Sequence, residues 1–343
     1  MTENTEQKGW RNAVFHKEPR SLKFMKVAYY NMPNGLDFEN ELLREWKIPE
    51  EELSLEEVTG RDPVSDLKGY AGLVTEYTDL GEEQFSRLPD LRIISLQSIG
   101  YDEIDTKAAR AHHIDVTNAP GYCAEDVATH AMALLLAFVR QIPMFDTAVR
   151  DGKWDPYQGR TMYRLSGKHA GLISFGHIPQ IETKMLQGFG LEVGAFDPLK
   201  DAAVMEQLGV RRYDTLEDLL KDSDFVFIHT PLFPSTYHLI GEKELGCMKQ
   251  NAVLLNVSRG AIVDEKALIQ ALKEQKIAGA CVDVLEDEAA HDSELLKLPN
   301  TVITPHVGFL SEDSLKQSRR MALEELCRKL VKGAPLKYCV NKR

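Results

Sequence analysis

The sequence predicts an α/β protein with two doubly wound parallel sheets, and three observations predict it. Short β-rich runs alternate with helical stretches along nearly the whole chain. The length of 343 residues exceeds one ordinary core and suits two domains of roughly 150 residues each. The alternation is interrupted once, by the Pro- and Gly-bearing segment Asn118-Ala119-Pro120-Gly121-Tyr122, ahead of a long helical pattern.

Taken in order, residues 1–24 are polar and mixed in charge. They lack the apolar segment of a signal peptide and carry too many acids for a transit peptide, so they are expected to be an N-terminal extension. Met25 opens the first strand-like run and could be an alternative translation start. Strand candidates at 26–30, 72–75, 92–96 and 115–118 make a first α/β unit. The helical pattern from Ala124 to about Arg150 carries Val127, Ala131, Leu134, Leu135 and Phe138 at helical spacing. That face is expected to be buried, either in its own domain or against a second subunit. A second series follows at 169–174, 192–196, 225–229, 252–257, 279–282 and 301–304, six strands interleaved with helices, as a doubly wound sheet requires. After Gly308 a helical pattern over 311–331 and a tail with Pro335 and Val340 are too short for a domain and are expected to pack back onto the first unit. The expected division is therefore 1–118 with 312–343, and 119–311.

Composition narrows the function classes. An apolar fraction of 43% with 27% charged residues is that of a globular protein. The formal charge of −12 repels nucleic acid and anionic lipid, so neither partner is expected, and an anionic substrate would need a focused positive site. The longest apolar run, 131–139, is well short of the ~18 residues of a membrane span. Cys123, Cys247, Cys281, Cys327 and Cys339 are odd in number and scattered without metal spacing, which predicts no metal site and a cytoplasmic location.

The strand ending at Ile173 leads into Ser174-Phe175-Gly176-His177-Ile178-Pro179 and a helical run. This is the place of the glycine fingerprint for dinucleotides, with only the central glycine kept. Gly176 retains the role of letting the backbone approach a pyrophosphate. Pro179 falls in the first helical turn, where a missing N–H is tolerated. Ser174 puts a side chain where the turn is tight. Asp197 stands 21 positions after Gly176 at the end of an apolar strand, where an acid holds ribose hydroxyls and disfavours a 2′-phosphate, so NAD is expected rather than NADP. A turn acid before Pro198 is the plainer reading. His177 is either a phosphate contact or an exposed helix-start residue.

Five further motifs complete the pattern: Ser98-Ile99-Gly100-Tyr101-Asp102, Pro120-Gly121-Tyr122-Cys123, Asn256-Val257-Ser258-Arg259-Gly260, Asp283-Val284-Leu285-Glu286-Asp287-Glu288 and Thr304-Pro305-His306-Val307-Gly308-Phe309. With these the chain resembles the D-isomer-specific 2-hydroxyacid dehydrogenases, within them the bacterial branch resembling C-terminal-binding protein, over about residues 25–341. The resemblance implies two Rossmann-like domains with a cleft between them: a substrate domain at 1–118 and 312–343, and a dinucleotide-binding domain at 119–311.

It also implies NAD-dependent interconversion of a 2-keto acid and a D-2-hydroxy acid, and a homodimer built on the 124–150 helix. A cation must hold the carboxylate and polarise the carbonyl, which suits the fork of Arg259. The forming alkoxide needs a proton, for which His306 is the matching acid, and Glu288 matches the carboxylate that keeps it protonated and oriented. Asp283 matches the anchor of the nicotinamide carboxamide. Ser174, Gly176, His177, Ile178, Thr230, Pro231, Val257, Ser258 and Gly308 match further cofactor positions. Ser98 and the amides of Ile99 and Gly100 match a carboxylate cradle, or form a plain turn. Phe309 matches an aromatic beside the substrate side chain, or is core. Glu76 and Tyr77 are candidates for meeting that side chain, or form a solvated loop.

The chain departs from the family at Ser174 and Pro179, at Ser98 where Gly is usual, and at Ala289-Ala290 where Pro is usual. The alternative reading is an NAD-sensing, corepressor-like binding protein with vestigial catalysis.

Overall fold

A computed structural model of the chain describes residues 24–76, 78–289 and 292–342. Tyr77, Ala290 and all but the last residue of the expected 1–24 extension lie outside the described residues. The chain divides into two compact units, Met1–Pro120 with Leu315–Arg343, and Gly121–Ser314.

The first unit runs β1 (Met25–Tyr30), α1 (Asp37–Glu45), β2 (Leu53–Val58), α2 (Pro63–Asp66), β3 (Gly72–Val74), α3 (Glu82–Phe85), β4 (Ile93–Ser95), α4 (Thr106–Ala111) and β5 (Asp115–Thr117). Its sheet is parallel throughout, in the order β2-β1-β3-β4-β5. Successive strand residues point to opposite faces, so Val27, Tyr29, Val74 and Ile93 enter one core while Ala28, Tyr30, Leu73 and Ile94 enter the other. The chain's last stretch belongs here. Leu323, Leu326 and Cys327 are buried in the first of these cores, and the side chain of Asn341 accepts from Val116 N and donates to the carbonyl of Ile114.

The second unit begins with α5 (Ala124–Val139) and α6 (Ile142–Arg150), followed by β6 (His169–Ile173), α7 (His177–Gly188), β7 (Glu192–Phe196), α8 (Ala202–Gln207), β8 (Arg211–Arg212), α9 (Leu216–Asp222) and β9 (Phe225–Ile228). Then come α10 (Glu242–Cys247), β10 (Val253–Asn256), α11 (Glu265–Lys273), β11 (Gly279–Val282), β12 (Thr301–Ile303) and α12 (Glu312–Cys327), the last continuing into the first unit. The sheet order is β12-β11-β10-β9-β6-β7-β8. Its order reverses between β9 and β6, so ligands are received at the carboxyl ends of the strands around that point. The paired doubly wound sheets are those the alternation predicts.

Two features differ from expectation. The helix predicted over 124–150 is two helices, parted at Gln141, which adopts a left-handed φ of 53°. The Gln141 side chain exchanges hydrogen bonds with the backbone of Arg160. The face of α5 bearing Ala131, Leu134, Leu135 and Phe138 is buried in its own unit, in the core that holds Leu172, Phe227 and Leu255. That settles the choice left open for it. Strands β2 and β8 were not expected either. Among the described residues no single helix is long and apolar enough to cross a membrane.

Candidate active site

Every candidate of the second unit stands at the carboxyl end of a parallel strand. At the end of β6, Ser174 adopts φ 77°, the left-handed conformation in which a glycine would be unstrained. Gly176 caps α7, and a Cβ added to it would meet nothing within 4 Å, so its backbone is open to an approaching group. Asp197, after β7, accepts from Phe175 N at 2.8 Å and from Leu199 N at 2.9 Å, and lies 3.3 Å from Ser174 Oγ. These bonds brace the turn and hold the Asp197 carboxylate at the mouth of the Gly176 turn. His177 is exposed, beside Gly121. Pro179 is buried in the first turn of α7, and its carbonyl accepts from Thr183 Oγ1 at 2.7 Å.

Beneath this turn lies a pair the sequence reading missed. Glu182 of α7 and His229 at the end of β9 are both buried and 2.5 Å apart, joining the helix to the strand across the sheet reversal. A charged residue at a helical core position is the signal that could have found it. Thr230 follows, and its carbonyl accepts from Ser258 Oγ, which ties the loop after β9 to the loop after β10.

In that second loop Asn256 spans the turn. Its side chain accepts from Ser258 N and donates to the carbonyl of Arg259. Arg259 is half-buried, with Nη1 2.9 Å from the Ser258 carbonyl.

Asp283 organises the loop after β12. It is buried, and its Oδ1 accepts from Thr304 Oγ1 at 2.6 Å and Val307 N at 2.9 Å, while Oδ2 accepts from Gly308 N at 2.8 Å. Burial pushes this carboxyl up, but hydrogen bonds from His130, Thr304 and the Val307 and Gly308 amides outweigh it and hold it below the usual carboxylate range. His130 of α5 reaches both Thr304 Oγ1, at 3.0 Å, and Asp283, at 3.3 Å. It too was missed, though a histidine just before the apolar run that begins at Ala131 marks it. Gly308 has no room for a Cβ, which would lie 2.9 Å from Asp283 Oδ2.

The same loop presents His306 at φ 54°, its N–H bound to the Asp283 carbonyl at 2.7 Å. His306 Nδ1 lies 3.0 Å and 3.1 Å from the two carboxylate oxygens of Glu288. That leaves Nε2 to face a reactant. Phe309 stands edge-on to the imidazole, centroids 6.3 Å apart. Arg259, Glu288 and His306 thus project from the loops after β10, β11 and β12, three neighbouring strands of one sheet.

In the first unit, Ser98, Ile99 and Gly100 form the turn after β4. Ser98 Oγ donates to the Gly100 carbonyl, and the Ile99 carbonyl accepts from Asn118 Nδ2. Among the described residues the Ile99 and Gly100 amides meet no hydrogen-bond acceptor. Burial and the nearby Glu103 push the carboxyl of Glu76 up.

Comparison with known proteins identifies the family. Residues 132–308 match the domain described as "D-isomer specific 2-hydroxyacid dehydrogenase, NAD binding domain". The chain is 39% identical over 295 residues to a glyoxylate reductase of Thermococcus litoralis, covering 84% of this chain and 86% of that protein. It is 36% identical over 271 residues to a D-3-phosphoglycerate dehydrogenase of Methanocaldococcus jannaschii, covering 78% of this chain but 51% of that longer protein. A D-isomer specific 2-hydroxyacid dehydrogenase of Lactobacillus delbrueckii ssp. bulgaricus, solved in its NAD complexed form, superposes with a TM-score of 0.75 at 27% identity, covering 92% of this chain and all of that one.

Proposed function

Because the chain belongs to the D-isomer-specific 2-hydroxyacid dehydrogenases, we propose that Arg259, Glu288 and His306 are the groups with which it reduces a small 2-keto acid. The chain is an NAD-dependent oxidoreductase of 2-keto and D-2-hydroxy acids; its residue roles and its preferred acid are the proposal. The observation that carries it is the contact of His306 with Glu288, on loops after strands that neighbour the one carrying Arg259, at the same end of one sheet.

The residues fit a dinucleotide. Gly176 offers an uncovered backbone at a helix start, and Asp197, whose carboxylate the Phe175 amide holds at that turn, is proposed to meet the ribose hydroxyls. Ser174, His177, Ile178, Thr230, Pro231, Val257, Ser258 and Gly308 are proposed to line the remainder. Bound NADH supplies the hydride. Asp283 is proposed to reach the carboxamide with the lone pair left on Oδ2, its main work being to hold the His306 loop.

Arg259 holds the substrate carboxylate and polarises the carbonyl oxygen. Ser98, Ile99 and Gly100 are proposed as substrate-binding residues of the first unit, the Ile99 and Gly100 amides as donors to a carboxylate and Ser98 shaping their turn. As the carbonyl carbon is reduced, His306 Nε2 gives its proton to the oxygen and the ring becomes neutral; Glu288, through Nδ1, orients the ring and pairs with the imidazolium until that proton leaves. In the reverse direction His306 takes the hydroxyl proton. Phe309 packs beside the substrate's side chain. The names of the relatives support glyoxylate and other short 2-keto acids as substrates.

A homodimer is proposed as well. Ile142, Val149, Trp154, Tyr157 and Tyr163, on α6 and the segment after it, are exposed apolar side chains that a second copy would cover. The five unpaired cysteines support a reducing, cytoplasmic location.

The test is steady-state oxidation of NADH and NADPH with glyoxylate, hydroxypyruvate, pyruvate and phosphohydroxypyruvate. Turnover is expected with NADH and a short acid. His306→Gln should lower kcat by roughly 10²- to 10⁴-fold, and Arg259→Ala should lower kcat/KM by roughly 10²- to 10³-fold. NADH binding without turnover of any of the four acids would overturn the proposal and leave a sensor.

A further inference from the structure

We propose that His238 and Glu286 are positioning residues for the reaction, a clip that holds the loop after β11 so that Glu288 stays against His306. The inference rests on the roles just proposed for Glu288 and His306.

The contact between Glu288 and His306 cannot hold that loop by itself. Their side chains are 47% and 39% exposed, and an ion pair so open to water contributes little. Two other features fix the loop. First, the turn after Arg259 lies directly on it. A Cβ on Gly260 would fall 1.9 Å from the Leu285 carbonyl oxygen and 2.4 Å from Glu286 N, so glycine alone permits the approach. Second, Glu286 is tethered on both sides. One carboxylate oxygen lies 2.9 Å from His238 Nε2 and 3.5 Å from Tyr237 Oη. The other accepts from Glu265 N, at the start of α11, while Glu265 accepts in return from Glu286 N. Glu265 is held by Ser293 Oγ in turn.

His238 is the piece common to both features. Its ring grips Glu286, two residues before Glu288, and its amide donates to the carbonyl of Ala261, two residues after Arg259. It does so from a left-handed φ of 50°, with its ring stacked on that of Tyr237 at 4.0 Å. A side-chain-bearing residue keeps such a conformation where its surroundings over-determine it. One residue thus sets the spacing of the two loops that carry Arg259 and Glu288. This chain needs that hold, since the position after Glu288 is Ala289, where a proline would have stiffened the loop.

The experiment is a set of His238→Ala, His238→Gln and Glu286→Gln variants, with His238→Ala also made in a Glu288→Gln background. It reads kcat, KM for the keto acid and Kd for NADH by fluorescence titration. His238→Ala is expected to lower kcat roughly three- to tenfold while Kd for NADH stays within about twofold, because the nucleotide turn is untouched. His238→Gln, which keeps a donor near Glu286, should recover most of the loss. Glu286→Gln should reproduce part of it and stands in if His238→Ala does not fold. In the Glu288→Gln background, His238→Ala should cost nothing further. An equal loss in both backgrounds, no loss in either, or a loss confined to NADH affinity overturns the clip. If Glu288→Gln slows turnover and neither clip variant does, only this inference fails; if Glu288→Gln has no effect, the proposed role of Glu288 fails with it.

Discussion

Ser174 is the residue at which sequence and backbone disagree most plainly. The position needs a left-handed φ, and the chain supplies a side chain there. A left-handed non-glycine residue costs roughly 1–2 kcal/mol, and glycine returns roughly 0.5–1 kcal/mol of that through its freer unfolded chain. Its 3.3 Å contact to Asp197 is too long to offset the difference. Ser174→Gly is therefore expected to raise stability by about 0.5–1 kcal/mol in urea unfolding and to tighten NADH binding. A less stable variant would mean that the Oγ contact matters more than the backbone. The departure was legible in the sequence, because a missing fingerprint glycine has a known geometric consequence. That Asp197 braces the altered turn was not, since it takes folding to bring Phe175 N within 2.8 Å of its carboxylate.

At the level of elements, the apolar periodicity located the strands that are buried on both faces and passed over those at the sheet edges. Strand β2 reads Leu-Ser-Leu-Glu-Glu-Val and β8 is Arg211–Arg212. Edge strands keep charges that prevent pairing with other chains, and those charges erase the pattern that would reveal them. The break at Gln141 was passed over for another reason. Pro143 was its one local mark: inside a continuous helix it would remove a backbone hydrogen bond, and the fold accommodates it by starting a new helix there, in whose first turn proline is tolerated. The loop after β12 depends on one carboxylate. The folded Asp283 carboxyl lies below its unfolded value of about 3.9, so its stabilising effect is complete above that value and is lost as pH falls through the lower, folded one. Asp283→Asn should cost about 2 kcal/mol at pH 7, the scale of hydrogen bonds to a charged group. Its urea-unfolding curve should draw closer to that of the unchanged protein as the pH is lowered below about 3.9. A gap that stays constant down to acid pH would show that the charge is not what holds the loop.

For the whole molecule, a formal charge of −12 has to coexist with an anionic substrate, and Arg259, a half-buried cation at a strand end, is proposed to supply the local positive charge that this requires. The proposed dimer is argued at this scale too. Trp154 and Tyr157 are 87% and 91% exposed, on a segment that continues from α6. Replacing both with Ser is expected to shift the mass measured by light scattering from two chains to one while far-ultraviolet circular dichroism is unchanged. A protein that is monomeric without any substitution would refute the dimer. The sequence by itself determined the alternation of strands and helices, the two-sheet architecture and the types of chemical group available, because periodicity and strand-end motifs are local and survive in one dimension. Only the tertiary structure decided which groups meet: Glu182 with His229, His130 with Asp283, His238 with Glu286. These pairs lie 47, 153 and 48 residues apart along the chain, and contacts between residues so far separated leave no mark on the local pattern of either one.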